Sequence, residues 1–140
     1  MSAGQAVISL FLALMWATCE AASAKDWRFY TRSEFGIYEY NAEDVRHFSQ
    51  DHLVRVHQKM VLSDKGKTNL VRQLGRKYEN VKELILLREI DCTDNKRRVL
   101  GLIYYSEHGE VINRESYEPI GWDTIIPDSV DDILYQVVCE

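Results

Sequence analysis

The sequence predicts an α+β fold: a single antiparallel β-sheet of about six strands, a C-terminal helix and one shorter mid-chain helix. The 140 residues, 46% hydrophobic and 28% charged, suffice for one domain with one core. Apolar and polar residues alternate in several short segments, as in half-buried strands. Helical periodicity is confined to two stretches, and no repeat or Pro/Gly-rich linker divides the chain. Residues 25–140 are therefore expected to form one domain.

The first three strands are predicted at residues 27–32, 35–40 and 52–62. The first two are rich in aromatic residues and flank a turn at Ser33 and Glu34. The third has the clearest period of two, which is typical of a half-buried strand. Its apolar face consists of Val54, Val56, Met60 and Leu62, and its polar face of Arg55, His57 and Lys59.

The mid-chain helix is predicted over residues 67–81, where Leu70, Val71, Leu74 and Tyr78 recur with helical spacing. Gly75 interrupts this pattern at a cost of about 1 kcal/mol relative to alanine. Basic side chains in and just before this segment form a candidate partner-binding set, which consists of Lys65, Lys67, Arg72, Arg76 and Lys77. The set would suit an acidic partner or lipopolysaccharide, and the alternative is a solvated helix face.

Three further strands are predicted at residues 83–92, 97–106 and 110–117. The turns between them contain Asp94, Asn95 and Gly109, which suit hairpin conformations. On the first of these strands Leu84, Leu86, Ile90 and Cys92 share one face. The cysteine is therefore expected to point toward the core.

The C-terminal helix is predicted to begin after Ser129. Ser129 and Asp132 form a capping box, and Asp131 and Asp132 complement the positive end of the helix dipole. One apolar stripe is expected to pack on the sheet: Val130, Ile133, Leu134, Val137 and Val138. Cys139 lies off the centre of that stripe, so we expect the helix to unwind by about Val137 and turn the sulfur inward.

Residues 1–24 are typical of a secretory signal peptide. Residues 6–17 are apolar and uncharged, and Ala22, Ser23 and Ala24 supply small residues before Lys25. A helix that spans a membrane needs roughly 20 apolar residues, and the apolar run at residues 6–17 is shorter than that. Lipidation at Cys19 is disfavoured by the residues that precede it. The chain is thus expected to be exported, to the periplasm or the cell surface, without a transmembrane segment after cleavage.

Cleavage would leave two cysteines, Cys92 and Cys139. In an oxidising compartment they most simply form one disulfide that closes a loop of about 47 residues, worth about 4 kcal/mol by chain entropy. The alternative is two separate buried thiols. A catalytic redox pair is disfavoured because there is no C-x-x-C spacing.

No catalytic, cofactor-binding or metal-binding residues are predicted. Without Glu20 the chain has 17 basic against 21 acidic side chains, which disfavours nucleic-acid binding. The GKT sequence at residues 66–68 lacks the earlier glycine of a phosphate-binding loop, and no H-E-x-x-H or G-x-S-x-G motif occurs. The five-residue spacing of His47, His52 and His57 indicates surface histidines. The eight tyrosines, with Trp27 and Trp122, would form a binding face or pack within the sheet.

Several segments occur in a familiar order: Trp27, YEYNAEDV at 38–45, VRVHQK at 54–59, EIDC at 89–92, YYSEHGEVI at 104–112, GWDTIIPDS at 121–129 and LYQVVC at 134–139. In this order the chain resembles the surface-adhesin E family of bacterial exported proteins. The resemblance implies an antiparallel sheet whose C-terminal helix is linked to it by a Cys92–Cys139 disulfide. It also implies a periplasmic or surface location and, for the family's namesake, a dimeric adhesin that binds host matrix proteins.

The leading hypothesis is an exported, noncatalytic binding module. It would recognise a protein or cell-envelope partner through the sheet face, an exposed edge strand or the basic helix, and the resemblance implies a homodimer. The alternative is a structural or accessory envelope protein of the periplasm without a host ligand.

Overall fold

A computed structural model of the chain describes residues 25–48, 50 and 52–140. The predicted signal peptide, with Cys19, lies outside the described residues. This part of the chain forms one antiparallel sheet of eight strands and two α-helices. The strands are β1 (Trp27–Ser33), β2 (Gly36–Asn41), β3 (Arg46–Phe48), β4 (Leu53–Leu62), β5 (Val81–Asp91), β6 (Lys96–Ser106), β7 (Val111–Ser116) and β8 (Asp123–Thr124). The helices are α1 (Asp64–Leu74) and α2 (Val130–Val138), and 3₁₀ turns cover Ala42–Asp44 and Arg76–Tyr78.

The strand order is β1-β2-β4-β5-β6-β7, so neighbouring strands in the sheet are mostly neighbours along the chain. The short β3 pairs with the first residues of β4, and β8 pairs with the first residues of β6. The predicted α+β class with its antiparallel sheet is confirmed. The six predicted strands are all present, and β3 and β8 are additional.

The two faces of the sheet differ in their cover. Val54 and Val56 of β4 lie opposite Ile90 and Arg88 of β5, so these residues share one face, together with Leu84 and Leu86. Arg55, His57 and Lys59 lie on the other face, as the alternation in the sequence predicts. Both helices pack on the first face, which we call the helix face. The opposite side is called the open face.

The helix face carries two apolar clusters, one under each helix. The cluster between α2 and the sheet consists of Val54, Val56, Ile90, Ile125, Leu134 and Val138. The cluster at α1 and the following 3₁₀ turn consists of Leu62, Tyr78, Val81, Leu84 and Tyr104. The helices therefore cover the two ends of this face and leave its middle less protected.

The predicted bounds of the mid-chain helix are wrong at both ends. Helix α1 begins at Asp64, because the Ser63 hydroxyl accepts a hydrogen bond from the Gly66 N–H and caps it. It ends at Leu74, because Gly75 adopts a φ of 98° that ends a right-handed helix. Leu74 is consequently 46% exposed instead of packed inward.

The Ser129 cap of α2 is present, because its hydroxyl accepts from the Asp132 N–H. The capping box is only half formed: the Asp132 carboxylate accepts from the Asp128 N–H, while the Ser129 N–H donates to the Ile126 carbonyl. The stripe that packs inward is rotated from the predicted one. Leu134 and Val138 are buried, whereas Val137 is 39% exposed.

The Cys92–Cys139 disulfide is confirmed, with the two Cα atoms 5.6 Å apart. The expectation that the helix unwinds by Val137 is wrong. The helix continues through Val138, and the Cys139 N–H donates to the Tyr135 carbonyl at 2.9 Å. Because the inward-facing stripe includes the partly buried Tyr135 rather than Val137, Cys139 reaches the sheet from a regular helical turn.

Within the described residues, neither helix has the length and apolar character needed to cross a bilayer.

Candidate functional site

The open face presents a row of side chains that runs across all six main strands. Strand register places these residues directly opposite one another in succession: Phe29, Glu39, Lys59, Ile85, Ile103 and Arg114. None of the six is fully buried, and Phe29 is 53% exposed. In the described part of the chain no helix packs over this row. The row thus combines an aliphatic centre with charged and aromatic ends.

Trp27 lies at the β1 end of the open face beside an ion pair. The Lys59 ammonium is 2.8 Å from the Glu39 carboxylate and 4.7 Å from the centre of the Trp27 ring. A cation over an indole ring is attracted by the ring's negative face. The lysine is therefore held between a carboxylate and an aromatic ring.

A second group is centred on Glu89 in β5, whose side chain is only 1% exposed. One carboxylate oxygen accepts from Arg55 Nε at 2.7 Å, and the other accepts from Arg98 Nε at 2.8 Å and from Arg98 Nη2. Burial alone would raise the pKa of Glu89, but the bonds from the two arginines outweigh it and hold that pKa below its usual value. The carboxylate stays ionised and orients both guanidinium groups.

The two arginines of this group also contact aromatic rings. Arg98 stacks on the Trp122 ring at 3.9 Å and donates to the Pro119 carbonyl. Arg55 lies 5.0 Å from the centre of the Phe48 ring. Arginine, tryptophan and other aromatic residues are enriched at the centres of protein interfaces, so this part of the open face has the composition of a binding surface.

A small recess of about 230 Å³ lies between these groups, lined by Asp44, Arg46, Arg55, His57 and Leu87. In it His57 Nδ1 is 2.9 Å from the Asp44 carboxylate. Among the described residues, no group of three or more His, Cys, Asp or Glu side chains is placed to bind a metal ion. The recess offers ionic contacts to a partner rather than a nucleophile with a base.

The predicted basic set lies on the opposite side of the molecule from the open face. Lys65 and Arg72 are two turns apart on the outer surface of α1, and Lys67 is turned about 160° from Lys65. Arg76 and Lys77 are exposed in the 3₁₀ turn that follows. Lys65 already pairs with the Glu34 carboxylate at 2.5 Å. The structure therefore does not bring all five side chains onto one patch.

Some aromatic residues pack in the core, and others lie at the surface. Tyr30, Tyr40, Tyr78, Tyr104 and Tyr135 contact the apolar clusters of the helix face. Burial raises the pKa of Tyr104 to about 12. Trp27 and Trp122 instead stack on cations associated with the open face. The tyrosines mainly stabilise the core, and the two tryptophans supply the contact surface.

Sequence patterns identified the polar face of β4 but not the buried carboxylate of Glu89. Its two partners are 34 and 9 residues away along the chain, and nothing local in the sequence indicates that they converge. The alternation of residues in β5 does place Glu89 on the other face of the sheet from Arg88 and Ile90. This was the available sequence signal for a carboxylate on the open face.

A family model described as surface-adhesin protein E matches residues 27–140. Two solved structures are similar, each with 15% sequence identity and a TM-score of 0.48. One is protein E of Haemophilus influenzae, where the match covers 84% of this chain and 89% of that chain. The other is protein E of non-typeable Haemophilus influenzae, with 84% and 80% covered. No curated protein sequence matches the chain.

Proposed function

Because the chain belongs to the surface-adhesin protein E family, we propose that it is an exported, noncatalytic binding protein of the cell surface. Its partner would be a protein or a component of the cell envelope, bound through the open face. The single observation that carries this proposal is the six-residue row across β1 to β7, which lies on the face opposite both helices.

The composition of the open face supports recognition more than stability. Exposed ion pairs contribute at most about 1 kcal/mol each to folding, so a pair such as Arg46–Asp44, whose side chains are 72% and 32% exposed, is not needed mainly for the fold. At an interface, the same charged groups can exchange their ion-pair partners for groups of a bound molecule with little loss of folding free energy. Beside them, the partly exposed Ile85 and Ile103 provide apolar surface that binding would remove from water.

A second candidate is an accessory envelope protein that stays in the periplasm. It is favoured by Arg72, Arg76 and Lys77, which are exposed on and after α1 and would contact an anionic envelope component. The two candidates use opposite sides of the molecule, so substitutions can separate them. The homodimer implied by the family resemblance stays a prediction.

The test is binding of the exported protein to immobilised matrix proteins and to envelope extract. A Phe29→Ser, Ile37→Ser variant removes two exposed apolar side chains of the open face, and an Arg72→Ala, Arg76→Ala variant serves as the matched control. We expect the first to reduce binding at least tenfold and the second to leave it unchanged. The reverse order would favour the envelope candidate, and no binding in either assay would refute the adhesin proposal.

A further inference from the structure

An apolar groove crosses the helix face between α1 and α2. Its middle section, about 220 Å³, is lined by Met60, Leu84 and Leu86, with Arg88 and Val130 at one side. Met60 and Leu84 also line a recess of about 170 Å³ under α1. Leu86 also lines a wider pocket of about 630 Å³ at the edge of β6. The three spaces are neighbours that share wall residues, and we treat them together as one groove whose wide end lies within the range of small-molecule sites.

Alongside Asp131, the middle of this groove is lined by one positively charged side chain, that of Arg88. Its side chain is only 11% exposed. Nε donates to the Gln58 side-chain oxygen at 2.5 Å, and Nη2 lies 3.3 Å from the Asp131 carboxylate. Nη1 is buried and has no hydrogen-bond acceptor among the described residues. A buried donor without an acceptor is costly and rare in folded proteins.

The charges around Arg88 do not cancel. Asp131, in the first turn of α2, also binds Arg97 Nε at 2.6 Å, so one carboxylate serves two guanidinium groups. The nearby Gln58 and Tyr30 are uncharged, and burial raises the pKa of the Tyr30 phenol further. Burial disfavours the charged form of Arg88 and lowers its pKa, which Asp131 partly offsets. The site thus has one positive charge in excess, and one of its donors, Arg88 Nη1, has no acceptor among the described residues.

The remaining lining determines what kind of anion fits. Beyond Arg88 the groove continues along apolar side chains in both directions, past Met60 and Leu84 and past Leu86 and Leu102. The charged side chains of Arg98, Glu118 and Asp123 also line its wide end, and the apolar ones form a continuous strip beside them. A peptide backbone laid along these side chains would lose its hydrogen bonds to water without replacement. An acyl chain carries no such groups. At the wide end, Ile120 is 85% exposed and adds apolar surface at the entrance.

We propose that this groove binds a long-chain carboxylate, with the carboxylate bonded to Arg88 and the acyl chain lying on Met60, Leu86 and Leu102. The Nη1 group is shielded from solvent, so binding requires that side chains of the groove wall shift to let the carboxylate reach it. None of the six residues of the row on the open face lines the groove, although Arg98 and Trp122 of the Glu89 group line its wide end. The proposal does not depend on the function proposed for the open face.

The test is calorimetric titration of the full exported chain with dodecanoate, with methyl dodecanoate and with a short peptide that ends in a free leucine carboxylate. Saturable binding of dodecanoate is expected, at least tenfold tighter than that of the ester, since a charge-assisted hydrogen bond is lost. Equal binding of the ester, or no saturable binding of dodecanoate, would overturn the proposal. Binding of the peptide alone would overturn it in favour of a peptide terminus.

Two adjacent residues of β5 supply a matched pair of variants. Leu86→Trp fills the groove, whereas Ile85→Trp adds the same ring on the open face. The first should weaken dodecanoate binding at least tenfold and the second should not change it. Arg88→Gln should remove the preference for the acid over the ester, and circular dichroism checks that each variant is folded. If Leu86→Trp is folded and binds like the unaltered chain, the assignment of the groove is wrong.

Discussion

Removal of the disulfide is expected to destabilise the protein by about 4 kcal/mol. The bond joins residues 47 positions apart, and the chain-entropy relation gives a loss of about 13–14 cal/mol/K for a loop of that length. At 25 °C this corresponds to about 4 kcal/mol, a large part of the 5–15 kcal/mol typical of a folded domain. The perturbation is the double variant Cys92→Ala, Cys139→Ala.

The assay is urea unfolding of the exported chain, followed by tryptophan fluorescence. With an m value of about 1–2 kcal/mol/M, the midpoint should fall by about 2–4 M. Because Leu134 and Val138 of α2 cover the cluster at Val54 and Ile90, the loss should appear as weakened global stability rather than a frayed end.

Two controls define what would refute this reasoning. The unaltered protein under reducing conditions should unfold at the same urea concentration as the double variant. Val137→Ala, at an exposed position of the same helix, should change the free energy of unfolding by less than about 1 kcal/mol. If the double variant lies within about 1 kcal/mol of the unaltered protein, the disulfide does not restrict the unfolded chain as argued.

Two further predictions concern the sheet and α1. Glu89→Gln should lower the free energy of unfolding by about 2 kcal/mol at pH 7, because it weakens bonds to two arginines. The pKa of Glu89 is lower in the folded than in the unfolded protein, so its ionised carboxylate stabilises the fold fully above the unfolded pKa near 4.3. This stabilisation is lost as pH falls through the folded pKa. In acid unfolding, the difference in free energy of unfolding between variant and parent should therefore shrink below about pH 4. Gly66→Ala should destabilise by about 1–3 kcal/mol in urea unfolding, because the added Cβ would lie 1.9 Å from the Phe35 carbonyl oxygen. Gly101→Ala, with 3.6 Å to its nearest contact, is the matched control, and equal effects of the two would contradict the packing argument.

The elements with a long regular pattern were predictable from sequence. β4, expected at residues 52–62, is observed at Leu53–Leu62, because ten residues of alternation leave one register that buries the apolar side chains. β3 and β8 contain three and two residues, too few to show a period. Their positions depend on pairing with β4 and β6, which a local pattern does not contain.

The candidate sites were less predictable, because their charges act across distant strands. Asp131 was interpreted as a partner of the α2 dipole, and its bonds to Arg88 and Arg97 depend on how the helix is rotated on the sheet. The period of two in β5 does place Arg88 on the apolar face. An arginine in that position is the feature of the sequence that could have indicated the groove.

The position of the disulfide also has a mechanical consequence. If tension is applied between the strands before Cys92 and the chain after Cys139, the covalent bond transmits it directly from one cysteine to the other. The enclosed segment, with β6, β7 and α2, then carries no load through its backbone, and about 160 Å of chain is withheld from extension. A protein held under such tension would therefore extend only through the strands before Cys92, β1 to β5, while β6 behind the crosslink stays closed.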